Sequence, residues 1–144
     1  MAEVIKLEVV TPEHRLVRDD ASQITIPGRN GYIGVLPGHA PLITELAVGE
    51  ISYTNAAGQV KYLACAWGFA EVLPDKVTIL AEVAELGEQI NVAAAKEERE
   101  RAQQVLRIQS HGEEYEHARR QLELAENRLH VAGKVSSVVG NVLP

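Results

Sequence analysis

A mainly β fold followed by α structure is predicted for this chain: an N-terminal β-sandwich or flattened barrel over residues 1–86, then an antiparallel two-helix hairpin over 87–133. Up to about residue 85, short apolar stretches alternate with polar positions and are separated by Gly/Pro turns, the pattern of many short half-buried strands. Near Leu86-Gly87 the spacing changes to a helical period, and alanine, glutamate and arginine take over. Between Pro27 and Leu42, four glycines and three prolines punctuate sixteen residues. Glycine admits backbone conformations closed to other residues, and proline fixes one torsion and removes a donor. Such a segment specifies its own path: strand, tight turn, short strand, tight turn, strand. It reads either as a shaped contact loop on the β-domain or as ordinary hairpin turns.

The elements follow in order. Ile5-Lys6-Leu7-Glu8-Val9-Val10 alternates and opens the β-pattern. Arg15-Leu16-Val17 and Gln23-Ile24-Thr25-Ile26 come next as separate short strands, with Asp19 and Asp20 in the turn between them. After the Gly/Pro segment come strands from Pro41 to Leu46 and from Gly49 to Tyr53. Asn55-Ala56-Ala57-Gly58 reads as a hairpin turn into Val60–Ala66. Gly68–Leu73, a Pro74-Asp75 turn and Val77–Glu82 complete the run, whose close spacing suggests the sandwich or barrel.

Asn91 is a good N-cap, so the first helix is predicted to start there and run to about Gln109. Ser110-His111-Gly112 breaks it, and a second helix runs from about Glu113 to Ala132 with Gly133 as its C-terminal cap. Tyr115, Ala118, Leu122, Ala125, Leu129 and Ala132 form one narrow apolar stripe, matched by Ala95, Ala102, Leu106 and Gln109 on the first helix. An alanine-rich seam lets two helices approach closely but buries little surface, at ~25 cal/mol per Å². The hairpin is therefore either a mobile element or one permanently docked. Residues 134–144 receive no assignment.

Composition excludes several classes. No apolar run reaches the ~20 residues that span a bilayer, and no secretory signal is visible at Met1-Ala2-Glu3-Val4. The formal net charge is -6, and twelve of the twenty acidic side chains precede Gln89 against six of the fourteen basic ones. An acidic first domain argues against nucleic acid as a partner. Cys65 is the single cysteine; it sits among apolar neighbours and is expected to be a buried, inert thiol in a reducing compartment. No catalytic constellation is visible: the three aspartates, Asp19, Asp20 and Asp75, are all placed in turns, and no Gly-rich phosphate loop opens a helix. Glu114-x-x-His117 has the spacing of carboxylate-bridged metal bundles, but such a site needs four helices, so no metal is expected.

Gly31-Tyr32-Ile33-Gly34-Val35 is followed by Leu36-Pro37-Gly38-His39-Ala40-Pro41-Leu42. With Gly68-Phe69-Ala70-Glu71-Val72, Val77-Thr78-Ile79-Leu80-Ala81 and the helical hairpin, these residues resemble the epsilon subunit of the bacterial F-type ATP synthase, over roughly residues 3–133. The Gly-His-Ala-Pro-Leu run is specific to that family. The resemblance implies a non-catalytic rotor subunit in the central stalk of a proton-translocating ATP synthase. It would be peripheral at the cytoplasmic face of the bacterial inner membrane and would associate with the membrane only through the complex. Its β-domain would couple gamma to the membrane ring of c subunits, with Arg29, Asn30, Gly31, Tyr32, Gly38 and His39 at the rotor interface.

The resemblance also implies a regulatory role for the hairpin. It would leave the β-domain, extend beside gamma and bring Arg119, Arg120 and Arg128 against an acidic segment of the catalytic beta subunit, inhibiting ATP hydrolysis. By itself, the alternation of Arg99, Arg101, Arg107, Arg119, Arg120 and Arg128 with glutamates reads as a solvated face of weak ion pairs. Some family members bind ATP through Ile/Leu-Asp-x-x-Arg-Ala at the first helix. Here the stretch is Ile90-Asn91-Val92-Ala93-Ala94-Ala95, with Asn91 for the aspartate and Ala94 for the arginine. Glu85, Ile90, Ala95 and Arg101 still match positions of the nucleotide binders. Loss of the arginine removes a planar cation that could stack on or hydrogen-bond a nucleotide, so ATP binding is expected to be weak or absent and no cofactor is implied. Two alternatives stay open: an ATP-sensing regulatory subunit whose hairpin is held folded by nucleotide, and a small enzyme or lectin-like sandwich, which would need a pocket with convergent polar groups.

Overall fold

Seven strands precede two helices in the computed structural model, which describes residues 3–142, with side chains through Ser136. They are β1 (Ile5–Val10), β2 (Arg15–Gly28), β3 (Gly31–Val35), β4 (Leu42–Glu45), β5 (Gly49–Asn55), β6 (Val60–Val72) and β7 (Lys76–Leu86). A 3-10 turn, Gly87–Gln89, leads to α1 (Val92–Ile108) and α2 (Glu113–Val142). The chain divides into two compact units between Leu86 and Gly87.

In the β-unit the strand order is β1-β7-β6-β5-β2-β3, with β4 beside β6 and β1 also paired to β2. That last pairing closes the sheet on itself, the flattened barrel predicted from the strand spacing. β1 and β7 run parallel, and the other pairs are antiparallel. Ile5, Leu7, Ile24, Ile26, Ile51, Leu63 and Ile79 are among the largest side chains fully buried inside.

The sheet folds over at one corner, and the alternation changes phase there. In β6, Leu63 and Cys65 point inward before it, Ala70 and Val72 after it. In β7 the inward set is Val77, Ile79 and Ala81, then Ala84 and Leu86; on the other side of β6 it is Leu46, just past β4, then Ile51 and Tyr53 of β5. Trp67 (φ 56°) and Gly68 (φ 106°) make the bend. A Cβ on Gly68 would lie 2.0 Å from the Leu80 carbonyl oxygen, so only glycine fits. Across the bend β6 changes partner from β5 to β4, while its register with β7 is the same on both sides.

Three sequence expectations are corrected. Val60–Ala66 and Gly68–Leu73 are one bent strand, because the phase flip imitates a strand break. Arg15–Val17 and Gln23–Ile26 are likewise one strand, β2, so Asp19 and Asp20 lie in a ladder and not in a turn. The irregularity that separates them is a bulge between Ala21 and Gln23, where β2 passes from β1 to β5. Asp20 sits opposite Lys6, and Asp19 Oδ2 accepts a hydrogen bond from the Tyr53 hydroxyl at 3.4 Å. Third, α2 does not stop at Gly133 but continues to Val142. Gly133 is not left-handed, and a helical glycine costs only about 1 kcal/mol relative to alanine. Residues 143 and 144 of the unassigned tail lie outside the described residues.

The helical unit opens on the predicted cap: Asn91 Oδ1 accepts a hydrogen bond from the Ala94 N–H at 3.0 Å. Ala95, Ala102, Ala118, Ala125 and Ala132 are buried, as the two stripes require, and Tyr115, Leu122 and Leu129 are half-buried. Val131, which lies beside the predicted stripe, is fully buried.

Candidate functional site

The turn between β2 and β3 and the loop before β4 are held by specific bonds. Arg29 Nη1 contacts Glu45 Oε2 at 2.8 Å, and the Arg29 N–H donates to the Glu45 carbonyl at 3.0 Å. The turn is thus tied to β4 with the guanidinium outside. The Tyr32 hydroxyl accepts from the Glu50 N–H at 3.1 Å. Gly49 leaves room for this: a Cβ there would sit 2.6 Å from Pro27 Cβ and 2.8 Å from the Tyr32 hydroxyl. The Gly38 N–H donates to the Pro74 carbonyl at 2.8 Å, and His39 folds back through its own N–H to the Leu36 carbonyl at 3.1 Å. His39 Nδ1 lies 2.7 Å from the Ala40 carbonyl. Asn30 and Gly31 are exposed at the turn.

The outer face of β4, β6 and β7 adds residues that sequence reasoning missed. Ile43 is 70% exposed, Leu80 55% and Phe69 52%. Phe69 is directly opposite Leu80, while Ile43 pairs with Glu71 and so lies diagonal to Phe69, within reach of an aromatic ring. Glu45, opposite Phe69, carries the ion pair to Arg29 at the rim. An apolar centre with a charged rim is the composition of a protein contact surface. The signal was present in the alternation: once β6 is read in its second phase, Ala70 and Val72 face the core and the large Phe69 faces out.

The basic side chains of the hairpin do not converge. Arg119 is exposed and lies 3.7 Å from Glu116 one turn before it, whereas Arg128 contacts Glu98 of α1 at 3.5 Å. Arg120 is exposed. Nine residues make about two and a half turns, so Arg119 and Arg128 occupy opposite sides of α2.

The positions shared with nucleotide binders are spread over the two units. Glu85 is on β7; Ile90 precedes the cap, Ala95 is buried in α1 and Arg101 is exposed on α1. Arg101 lines a cleft of about 300 Å³ between the helices together with Glu98, Glu114, His117 and Gln121. Two carboxylates in that cleft oppose an anionic ligand. Asn91 and Ala94 are engaged with each other in the helix cap. Cys65 is buried, and desolvation pushes its thiol up to about 12, which suppresses the nucleophilic thiolate. Among the described residues no helix is long and apolar enough to cross a membrane.

Comparisons with known proteins agree on one family. The model described as ATP synthase, Delta/Epsilon chain, beta-sandwich domain matches residues 4–87, and that of the long alpha-helix domain matches 88–133. The chain is 62% identical to the ATP synthase epsilon chain of Koribacter versatilis over 114 residues, covering 79% of this chain and 78% of that one. It is 42% identical to ATP synthase epsilon chain 2 of Syntrophotalea carbinolica over 135 residues, 93% and 97% of the two chains. In fold it resembles a chain in the Euglena gracilis mitochondrial ATP synthase OSCP/F1/c-ring structure, with TM-score 0.66 and 23% identity over 96% of this chain and 82% of that one.

Proposed function

The chain belongs to the ATP synthase delta/epsilon chain family, and on that premise we propose that it is a central-stalk rotor subunit of a proton-translocating F-type ATP synthase. The observation that carries this reading is the outer β-face of Ile43, Phe69 and Leu80, exposed and flanked by the bonded Arg29–Glu45 pair. Burying it against a partner gains the apolar transfer energy that the isolated chain forgoes. The partners are gamma and the ring of c subunits, reached by this face and by the Arg29–Tyr32 turn and the Gly38-His39 loop. The chain supplies shape and attachment, not an active site, and sits at the membrane through the complex, on the cytoplasmic face of the bacterial inner membrane.

The hairpin is the regulatory part. Its alanine seam holds the helices together weakly, and its arginines suit an acidic segment of the catalytic beta subunit. An ATP-sensing role is less well supported, because the cleft beside Arg101 holds Glu98 and Glu114 and the first helix lacks the family's arginine.

Two measurements test the reading. Phe69→Ser with Leu80→Ser should leave the isolated chain folded yet lower its recovery in the assembled complex at least tenfold; unaltered recovery removes this face from the interface. Truncation after Glu88 should raise the ATPase rate of the assembled complex. An unchanged rate with intact assembly would reduce the hairpin to a structural role.

A further inference from the structure

Tyr32 touches two parts of the β-unit at once. Its backbone belongs to β3, which ends the strand order with β2 as its neighbour. Its side chain reaches past Pro27, its direct partner in the β2–β3 ladder, and the hydroxyl accepts from the Glu50 N–H of β5 at 3.1 Å. That bond is partly buried although Tyr32 as a whole is 60% exposed, so the ring faces outward and its tip is inserted. Glycine at position 49 admits the tip, since a Cβ there would lie 2.8 Å from the hydroxyl. The turn just before Tyr32 needs such support. Gly28 pairs with Gly31, which leaves Arg29 and Asn30 as a two-residue loop. Neither has a positive φ, so the loop is not one of the primed turns whose twist matches the flanking strands. A hairpin of this kind at the end of a sheet opens easily unless something outside it holds it.

We propose that Tyr32 is a positioning residue: its phenol is a strut that fixes the Arg29–Gly31 turn against β5, so that the turn meets its partner already shaped. Arg29 and Glu45 make a second tie, to β4, through the 2.8 Å ion pair and the backbone bond at 3.0 Å. A turn tied to two strands does not have to be ordered on contact, and the entropy of ordering it is not lost at that moment. Ring and hydroxyl then have separate roles. The exposed ring adds to the outer surface, and the hydroxyl serves the turn. The consequence for assembly rests on the reading above, in which this turn reaches gamma and the ring of c subunits. The strut itself belongs to the isolated chain and is measurable there.

Tyr32→Phe keeps the ring and removes the hydroxyl, and hydrogen exchange in the isolated full-length chain reads the result. The Arg29 amide, bonded to the Glu45 carbonyl and not to Tyr32, should exchange about two- to tenfold faster, the range of one hydrogen bond. The β6 and β7 amides should exchange as in the parent, and the Glu50 amide resonance should shift. Arg29 exchange equal to that of the parent overturns the strut. So does an equal acceleration in β6 and β7, which would mean general damage to the fold. In the assembled complex, Tyr32→Phe combined with Glu45→Ala should lower recovery about threefold or more, because a larger open fraction reduces apparent affinity in proportion. Unchanged recovery alongside faster Arg29 exchange would overturn the need for a preshaped turn. Unaltered recovery of Phe69→Ser with Leu80→Ser would remove that face from the interface alone, and Arg29 exchange would still decide the strut.

Discussion

The β-unit fills its interior with isoleucine, leucine and valine from six of its seven strands, whereas among the described side chains of the helical unit the fully buried apolar ones are Ala95, Ala125 and Val131. Both units have good local structure, including a capped helix in the second. They differ in how much apolar area each residue takes out of water, and that decides which part tolerates disturbance. A unit with bulky buried side chains holds one arrangement. A unit whose seam is mostly methyl groups has little to lose on opening, which is what a regulatory element requires.

The comparison breaks first if a core truncation is harmless. Ile51→Ala empties a fully buried site of the β-unit and should cost about 3 kcal/mol, read as a lower urea midpoint for the strand signal in circular dichroism. Alkaline pH gives the next effect. The Cys65 thiol ordinarily titrates near 9.0, and burial raises it to about 12 in the fold. The folded state therefore keeps a proton that the unfolded chain releases, so this contribution is full below about 9 and is lost as pH rises toward 12. The slope should be on the order of 1 kcal/mol per pH unit in that window, and Cys65→Ser should flatten it.

Smaller effects sharpen the contrast. Asn91→Ala removes the α1 cap and should cost about 1 kcal/mol. The loss should be confined to helix amides in hydrogen exchange, with the strand amides unmoved; equal losses in both units would show that they unfold as one. Leu80→Ser, at a half-exposed site on the outer face, should change the stability of the isolated chain by less than about 0.5 kcal/mol. A larger drop in thermal midpoint would mean that Leu80 serves the core and not a partner.

Much of this was legible in the sequence. The class of fold, the change from strands to helices, the Asn91 cap and the buried thiol all follow from local chemistry: period, side-chain oxygen near a helix start, apolar neighbours. What was not legible depends on pairing. Asp19 and Asp20 look like turn residues until Lys6 and Tyr53 are set beside them. Gly133 looks like a stop signal, but its conformation is set by helical residues on both sides. The outer face escaped because Phe69 and Leu80 share a face only when the strands are aligned, and Trp67-Gly68 conceals the alignment by resetting the alternation. Of the residues named by resemblance, the structure gives contacts for Arg29, Tyr32, Gly38, His39, Arg119 and Arg128, and places Arg101 in the cleft between the helices.

The corner at Trp67-Gly68 also constrains how this sequence can change over time. Along the strands that cross it, inward and outward positions exchange parity at the same place, so outer face and interior share one reading frame. Substitution at Ile43, Phe69 or Leu80 edits the outer face alone. Deletion of a single residue between Ala66 and Phe69 would move Ala70 into the outward position that Phe69 holds, disturbing interior and outer face at once. Descendants of this chain can accept new surface letters one by one, but gains and losses of residues should accumulate at the Asn55–Gly58 turn and in the segment between β1 and β2, where no such frame has to be kept.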